Sequence, residues 1–314
     1  MKLLARAVEL AGGESLALAT VIRASGSTPR HPGAKMLIAA DSNIFGTIGG
    51  GRIEQEVVQA GVAVVQSGEP RRVQHHLVRD LAMCCGGTME VFVQPLSPVV
   101  ESLRRAVELW RRREPAVLVT DLATGAIEAH ELGDHVGATP KLDGDSFVEP
   151  VWPADRVILF GCGHVARAIG PLAASVGFEI VLCDDGETGA MDDEPDWADT
   201  LIDSFELADV SKELGPIGAG DYAVILTRDH AVDQRILERL LVLEDLSYLG
   251  MIGSRGKVGR FHKRLTAKGI ATDERWQRLH APVGIDIAAE TPEEIAVSVV
   301  AQLIDSRNRR KQER

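Results

Sequence analysis

The amino-acid sequence predicts an α/β protein of two domains, the second built on a doubly wound parallel sheet. Three observations predict this: the chain length, a strand–glycine loop–helix–strand segment at residues 156–185, and the alternating strand and helix patterns that follow. The chain has 314 residues, and a domain usually has about 100 to 200 residues. We therefore expect two domains, residues 1–150 and residues 151–314.

The segment at residues 156–185 has the order of elements that precedes a nucleotide site. Four apolar residues, Val157 to Phe160, lead into GCGHVA at residues 161–166. An amphipathic helical pattern follows, and a second apolar run ends at Asp184. This order of strand, glycine loop, helix, strand and acid is the context in which such a loop indicates nucleotide binding. It predicts a Rossmann-like βαβ unit.

Each residue of this loop has a predicted role. Gly161 permits a tight turn, Gly163 lets the backbone approach a pyrophosphate, and the small Ala166 lets helix and strand pack closely. His164 begins the helix, whose free N–H groups are expected to face an anion. Cys162 lies within the loop, where a ligand could touch it, although its small size alone would explain it.

Two further residues are expected at the same edge of the sheet. Asp184 ends the second strand, at the position that binds a ribose hydroxyl in dinucleotide sites. His230 follows the apolar strand at residues 221–227, and open α/β sheets bind ligands at the carboxyl ends of their strands. Another strand is predicted at residues 247–252, and the repeated alternation implies a parallel sheet covered on both faces.

The N-terminal domain is predicted to be α+β or α/β. Its pattern gives apolar strands, a helix from about Ile53, a helix at residues 98–113 and a strand at residues 116–120. The strands before the first helix are expected at residues 16–24 and 35–40, and another ends at Pro95. Residues 130–150 are polar and are expected to form a loop or hairpin and then a linker.

The loop Gly49-Gly50-Gly51 precedes the first of these helices, and we considered two functions for it. Three residues without side chains leave backbone N–H groups open to a phosphate or oxyanion, with Arg52 as a bidentate partner. Alternatively, the loop is a tight strand–helix turn in which Glu54 stabilises the helix N-terminus. The sequence leaves both open.

Two other loops of this domain contain candidate ligands. Ser27 and Arg30 lie on a proline-braced loop and offer a hydroxyl and a guanidinium, although ordinary turns have the same composition. Cys84 and Cys85 precede two glycines. A thiol there could bind a soft metal or carry sulfur, or serve as a small buried side chain.

Composition limits the function classes. The formal charge is −12 at pH 7, which excludes a general affinity for nucleic acid. No apolar run is long enough to span a membrane, and the N-terminus resembles an amphipathic helix rather than a signal peptide. With 4 cysteines there is no disulfide framework, and we expect a cytoplasmic protein. The acids between residues 184 and 209 would repel a 2′-phosphate and argue against NADP.

The motifs of both halves, in their order and spacing, resemble the XdhC/CoxI family of xanthine dehydrogenase accessory proteins. The resemblance covers nearly the whole chain and rests on ALATVIRASGSTPRHPGAKMLI, GTIGGGRIEQEV, CCGGTMEVFVQP, ILFGCGHVARAIGPLAASVGFEIVLCDD, YAVILTRDHAVDQRIL, SYLGMIGSRGKV and APVGIDIAAETPEEIAVSVVAQLI. One departure is Arg52, where relatives have a cysteine after the triple glycine.

The resemblance implies a molybdenum cofactor chaperone rather than a catalyst of substrate turnover. Such a protein binds molybdopterin, in its simple or its nucleotide form, supports its sulfuration together with a cysteine desulfurase, and delivers it to a xanthine-dehydrogenase-type apo-enzyme. It also implies a homodimer. The phosphate is then expected at the loop of residues 161–164 and the metal or sulfur end at Cys85. The alternative hypothesis is an NAD-dependent oxidoreductase with His230 as its acid–base.

Overall fold

The structure is a computed structural model that describes residues 1–83, 86–133, 137, 139–187 and 195–313. The chain divides into two compact units, Met1–Pro153 and Ala154–Arg314, called here the N-terminal unit and the C-terminal unit. No helix of the described residues is both long and apolar enough to cross a membrane.

The N-terminal unit contains two antiparallel sheets and is of the α+β type. Its helices are α1 (Lys2–Leu10), α2 (Gly51–Ser67), α3 (Leu77–Leu81) and α4 (Val100–Arg111), with a short 3-10 turn before α4. Its strands are β1 (Leu16–Ser25), β2 (Lys35–Ala39), β3 (Ile44–Gly46), β4 (Arg71–His76), β5 (Thr88–Pro95), β6 (Ala116–Asp121), β7 (Ile127–Glu131), β8 (Lys141–Asp143) and β9 (Ser146–Val151). The sheet orders are β3-β2-β1-β5-β4 and β7-β6-β9-β8.

The larger sheet is apolar on both faces because each face is covered. Along β1, Ala17 and Ala19 point into a core shared with Ile53 of α2, whereas the alternate residues Leu16 and Leu18 point into a core shared with α1 and α4. This follows from the two-residue repeat of a strand, which sends neighbouring side chains to opposite faces.

Residues 130–150 contain the predicted hairpin, formed by β8 and β9, but their last residues belong to strand β9 rather than to the predicted linker. Their second half forms β9, which pairs with both β6 and β8 in the smaller sheet. The polar appearance of this stretch is explained by its partial exposure, since only Phe147, Pro150 and Val151 are buried in β9. A strand that is only partly buried needs few apolar residues.

The C-terminal unit has the predicted doubly wound architecture. Its strands are β10 (Arg156–Phe160), β11 (Glu179–Cys183), β12 (Thr200–Ile202), β13 (Asp221–Ile225), β14 (Tyr248–Met251) and β15 (Leu279–His280). Its helices are α5 (His164–Ser175), α6 (Leu207–Leu214), α7 (His230–Leu240), α8 (Arg255–Ala267), α9 (Asp273–Gln277) and α10 (Pro292–Glu313). All pairs of neighbouring strands are parallel. The order β12-β11-β10-β13-β14-β15 is the Rossmann order.

The chain changes sides between β10 and β13, the two central neighbours of this sheet. Ala166 and Ile169 of α5 pack on one face, whereas Ile236 and Leu237 of α7 pack on the other. The loops after β10 and β13 therefore diverge and leave a crevice at the carboxyl ends of the strands. In open α/β sheets this topological switch point is where ligands bind.

Candidate functional site

The C-terminal glycine loop (residues 161–163) lies at this switch point, and its first residue must be glycine. Gly161 has a φ of +116°, a region that favours glycine. A Cβ at this position would lie 2.7 Å from the carbonyl oxygen of Leu226, which follows β13. The Gly161 N–H also donates to the Cys183 carbonyl at 2.8 Å. The loop is thus fixed against both neighbouring strands.

The start of α5 is open. Gly163 is the N-cap and provides no side-chain cap. A Cβ added there would have no neighbour within 4 Å among the described residues. The first turn of α5 contains no acid, and Gly163 and His164 are both exposed. Since the unsatisfied N–H groups of a helix start attract anions, this position can accept a phosphate.

Asp184 lies beneath the glycine loop. It is 3% exposed and accepts the N–H of Cys162 at 2.8 Å and the N–H of Gly186 at 3.1 Å. The carboxylate therefore stabilises the loop from the end of β11. The role of Asp184 as a ribose ligand stays a prediction.

The two thiols of the C-terminal unit are buried. Burial raises the pKa of the Cys162 thiol and, more strongly, that of Cys183. Both side chains therefore stay protonated at neutral pH. A thiol is a nucleophile and metal ligand only as the thiolate, so Cys162 contributes its small size and its backbone N–H to the loop.

An arginine that the sequence reasoning did not single out crosses the crevice. Arg228, after β13, donates from both terminal nitrogens to Asp185, after β11, at 2.9 and 3.0 Å, and reaches Glu187 at 2.5 Å. Because β10 lies between β11 and β13, this pair passes over the carboxyl end of β10. Arg228 lowers the pKa of Asp185. The sequence does contain a signal for this pair: a basic residue follows one strand, in TRDH, and two aspartates follow another, at Asp184 and Asp185.

His230 is exposed and begins α7 at the same edge of the sheet. Its ring meets the Phe261 ring edge-on with centroids 6.5 Å apart. The preceding Asp229 is the N-cap, accepting from the N–H groups of Ala231 and Val232. The bond from Val232 and then the bond from Ala231 lower the pKa of Asp229. The site thus combines an exposed imidazole with the anion-suited loop.

A buried charged network lies behind this edge. Lys257 of α8 bonds to Asp233 of α7 and donates to the Ile252 carbonyl at 2.9 Å. Asp233 also accepts the Thr227 hydroxyl at 2.7 Å. Asp233 is 0% and Lys257 5% exposed. The basic sequence of α8 is typical of a solvated helix face or an anion contact, but Lys257 instead ties α7 and α8 to the loops after β13 and β14.

In the N-terminal unit the structure brings together the loops that the sequence suggested. A Cβ on Gly49 would lie 2.5 Å from Pro29 and 3.6 Å from Arg30, and one on Gly51 would lie 3.1 Å from Met83. The Gly87 N–H donates to the Ser27 carbonyl at 2.9 Å. Ser27 and Arg30 are exposed, so the loop cluster faces solvent.

The triple-glycine loop uses its own N–H groups. The carboxylate of Glu54 accepts the N–H of Ile48 and that of Gly50, each at 3.2 Å, and the Thr47 hydroxyl at 2.7 Å. The Gly49 N–H donates to the Thr47 hydroxyl oxygen. Of the two interpretations given above, these bonds favour a strand–helix turn stabilised by Glu54, and a role of Gly49–Gly51 in cofactor binding stays a prediction.

The predicted metal residue, Cys85, lies outside the described residues, as does Cys84. Across the part of the chain that the structure describes, no group of three or more His, Cys, Asp or Glu side chains could hold a metal ion.

Comparison with protein families agrees with this two-unit organisation. The XdhC and CoxI family model matches residues 9–76, and the XdhC Rossmann domain model matches residues 157–303. The chain belongs to the XdhC and CoxI family. The second match includes the glycine loop, Asp184, Arg228 and His230.

Three relatives align with more than nine-tenths of this chain. The uncharacterized protein YqeB of Escherichia coli is 31% identical over 93% of the chain, which spans 43% of the length of YqeB. A probable xanthine dehydrogenase subunit of Bacillus subtilis is 27% identical, with 94% of each protein covered. The molybdenum cofactor insertion chaperone PaoD of E. coli is 24% identical over 95% of this chain and 85% of PaoD.

A solved structure has the same architecture. A crystal structure described as a xanthine dehydrogenase from Bacillus halodurans is 27% identical and superposes with a TM-score of 0.81, covering 98% of this chain and 97% of that chain.

Proposed function

We propose that this protein is a xanthine dehydrogenase accessory protein that binds the molybdenum cofactor. It supports sulfuration of the cofactor together with a cysteine desulfurase and inserts it into a xanthine-dehydrogenase-type apo-enzyme, acting as a cytoplasmic homodimer. Family membership and the similarity to PaoD support this role.

The observation that carries the proposal is the open helix start at Gly163. The cofactor has a phosphate, or a diphosphate in its nucleotide form, and the α5 N-terminus has no side-chain cap and no acid in its first turn. Asp184 holds the loop in the required shape through the Cys162 N–H. The residues present therefore fit the anionic end of the cofactor.

The chain's own residues have separate tasks in this proposal. The C-terminal glycine loop binds the phosphate, and His164 and His230 flank it at the exposed edge. When bound, the cofactor would supply the molybdenum and its terminal sulfur chemistry. Cys85 is the proposed ligand for the metal or sulfur end, with the loops of Ser27, Arg30 and Gly49–Gly51 around its chain neighbours Met83 and Gly87.

The proposal is tested by cofactor retention and transfer. The full chain is mixed anaerobically with cofactor released from a molybdoenzyme, separated by gel filtration, and assayed for pterin fluorescence and molybdenum. We expect both to co-elute with the protein and to activate an added apo-enzyme. Gly163→Val should lose the pterin, whereas Gly12→Val, in an exposed turn, should retain it. Absence of pterin from the unmodified protein would overturn the proposal.

An NAD-dependent oxidoreductase is the second candidate, favoured by the Rossmann strand order and the glycine loop. Two observations weigh against it. Asp184 is buried, and Arg228 and Asp185 are joined across the crevice. Titration calorimetry with NAD and NADH distinguishes the two functions, since an oxidoreductase requires binding of at least one.

A further inference from the structure

A cavity of about 520 Å³ lies at the carboxyl ends of β14 and β15 in the C-terminal unit. Its volume is within the range of about 300 to 1,000 Å³ that is usual for small-molecule sites. β14 is separated from β10 by β13, and neighbouring strands lie about 4.8 Å apart. The end of β14 is therefore about 10 Å along the sheet edge from the end of β10, which leads into the C-terminal glycine loop.

One side of the cavity is apolar and incompletely covered. Ile252, Val283 and Ile295 form this wall together with Ile285 and Ile287. Ile285 is 45% and Ile287 47% exposed. Large apolar side chains that rim a concave surface at this exposure gain free energy when a ligand removes them from water. The wall is suited to a flat apolar group.

The other side carries a cation. Arg255, the first residue of α8, lines the cavity and is exposed. It forms no ion pair with any other residue that the structure describes. Asp286 also lines the cavity; its carboxylate accepts the N–H of Ala288 at 3.4 Å and forms no ion pair with Arg255. The guanidinium is thus available to an anionic group of a bound molecule.

The wall is preformed by contacts with α10. Gly284 has a φ of +99°, and a Cβ there would lie 2.3 Å from the Ser298 hydroxyl. Its N–H donates to Gln302 at 2.8 Å, and the Ser298 hydroxyl donates to the Ile285 carbonyl at 2.6 Å. The loop is held in place without a ligand, so binding loses little conformational entropy.

We propose that this cavity is a binding site for a small molecule with a flat apolar body and one anionic group. The body lies against the isoleucine wall, and the anion pairs with Arg255. The site is separate from the C-terminal glycine loop, and the inference therefore goes beyond the proposed function and stands independently of it.

The test uses 1-naphthyl phosphate as a fluorescent probe of this chemistry, titrated into the full chain. We expect it to bind at least about tenfold more tightly than 1-naphthol or inorganic phosphate, each of which has only one of the two features. Arg255→Gln should weaken binding about tenfold, since one charge-assisted contact is lost. Arg260→Gln, on the same helix but outside the cavity, is the matched control and should bind normally.

Two further variants localise the probe. Ala289→Trp should fill the cavity and abolish binding, with circular dichroism as the check on folding, while Arg167→Glu, next to the glycine loop, should leave probe binding unchanged. Failure of the unmodified chain to bind the probe, equal binding by Arg255→Gln, or loss of binding in Arg167→Glu would each overturn the proposal. None of these outcomes depends on cofactor retention, so the proposed function is judged separately.

Discussion

The two glycine loops of this protein precede helices in the same way but have opposite electrostatic properties. At the start of α2, the loop N–H groups of Ile48 and Gly50 donate to Glu54. At the start of α5, Gly163 provides no cap and the first turn contains no acid. The fourth residue of α2 is Glu54, whereas the fourth residue of α5 is Arg167.

The difference shows that glycines alone do not make an anion site. Glycine gives the backbone access to a ligand, but a carboxylate one turn into the helix occupies the same N–H groups that a phosphate would use. The N–H groups of Ile48 and Gly50 already have Glu54 as their acceptor, whereas the first turn of α5 contains no acid. The following predictions test this distinction, beginning with the largest expected effect.

Within the C-terminal glycine loop, substitution of Gly161 by alanine should lower the free energy of unfolding far more than the same substitution of Gly163. Gly161→Ala forces a positive φ and a clash with the Leu226 carbonyl, and should lower the free energy of unfolding by about 3 kcal/mol. Gly163→Ala has a φ of −72° and open space, and should change it by less than about 0.5 kcal/mol. Urea denaturation measures both. Equal losses of unfolding free energy in Gly161→Ala and Gly163→Ala would contradict the difference in packing between the two positions.

Replacing the fourth residue of α5 by glutamate should give the C-terminal glycine loop an internal carboxylate, as the loop before α2 already has. Arg167→Glu places a carboxylate where Glu54 stands in α2 and should weaken cofactor retention by about 2 kcal/mol. Pterin fluorescence after gel filtration is the measurement. Arg105→Glu, on α4, changes the net charge equally and should have no effect. Full retention by Arg167→Glu would show that the anion lies elsewhere.

Removing the carboxylate of Glu54 should make the N–H groups of the N-terminal glycine loop available to an external anion. Glu54→Ala leaves the N–H groups of Ile48 and Gly50 without their acceptor and should cost about 1.5 kcal/mol of stability. Added pyrophosphate should then restore part of the loss, because an anion can replace the carboxylate. Thermal unfolding with and without pyrophosphate checks this. The unmodified protein serves as the control, and its N-terminal unit should gain nothing from pyrophosphate.

The smallest effect concerns Arg228. Asp185→Asn should leave Glu187 as the remaining carboxylate partner of Arg228 and raise affinity for pyrophosphate about threefold, the modest change expected for an exposed ion pair. Because Arg228 lowers the pKa of Asp185 below its ordinary value of 3.8, the pair contributes above pH 3.8 and is lost as pH falls through the lower folded pKa. Between about pH 5 and pH 8 the carboxylate stays ionised. Titration calorimetry should therefore find that this pair causes no pH dependence of the affinity for pyrophosphate. Lower affinity in Asp185→Asn would contradict this role for Arg228.

The C-terminal fold could be predicted because its signals are local. Runs such as Val157 to Phe160 and glycines such as Gly161 report strand periodicity and turn geometry directly. The N-terminal unit was harder. Its strand β4 reads RRVQHH, and β9 contains a proline and a glutamate. Edge and half-exposed strands need few apolar residues, and their pairing partners are distant in the chain.

The candidate site was only partly predictable for the same reason. The sequence placed Gly163, His164 and His230 at one sheet edge, and the structure agrees. It assigned Asp184 to a ribose, which stays a prediction, but it did not foresee that this carboxylate accepts the Cys162 N–H. A residue's position along a strand can be read from the sequence, but its hydrogen-bond partner depends on a loop that lies elsewhere in the chain.

The sequence by itself determined that a glycine loop precedes α5 in a Rossmann-type βαβ unit, because turn geometry and periodicity depend on near neighbours. The tertiary structure decided which polar groups of that loop are available. Only folding brings Asp184 beneath the loop, the Leu226 carbonyl against Gly161, and Arg228 across the crevice to Asp185. These are contacts between strand ends that are distant in sequence, and among the described residues they leave the α5 N-terminus without a side-chain cap.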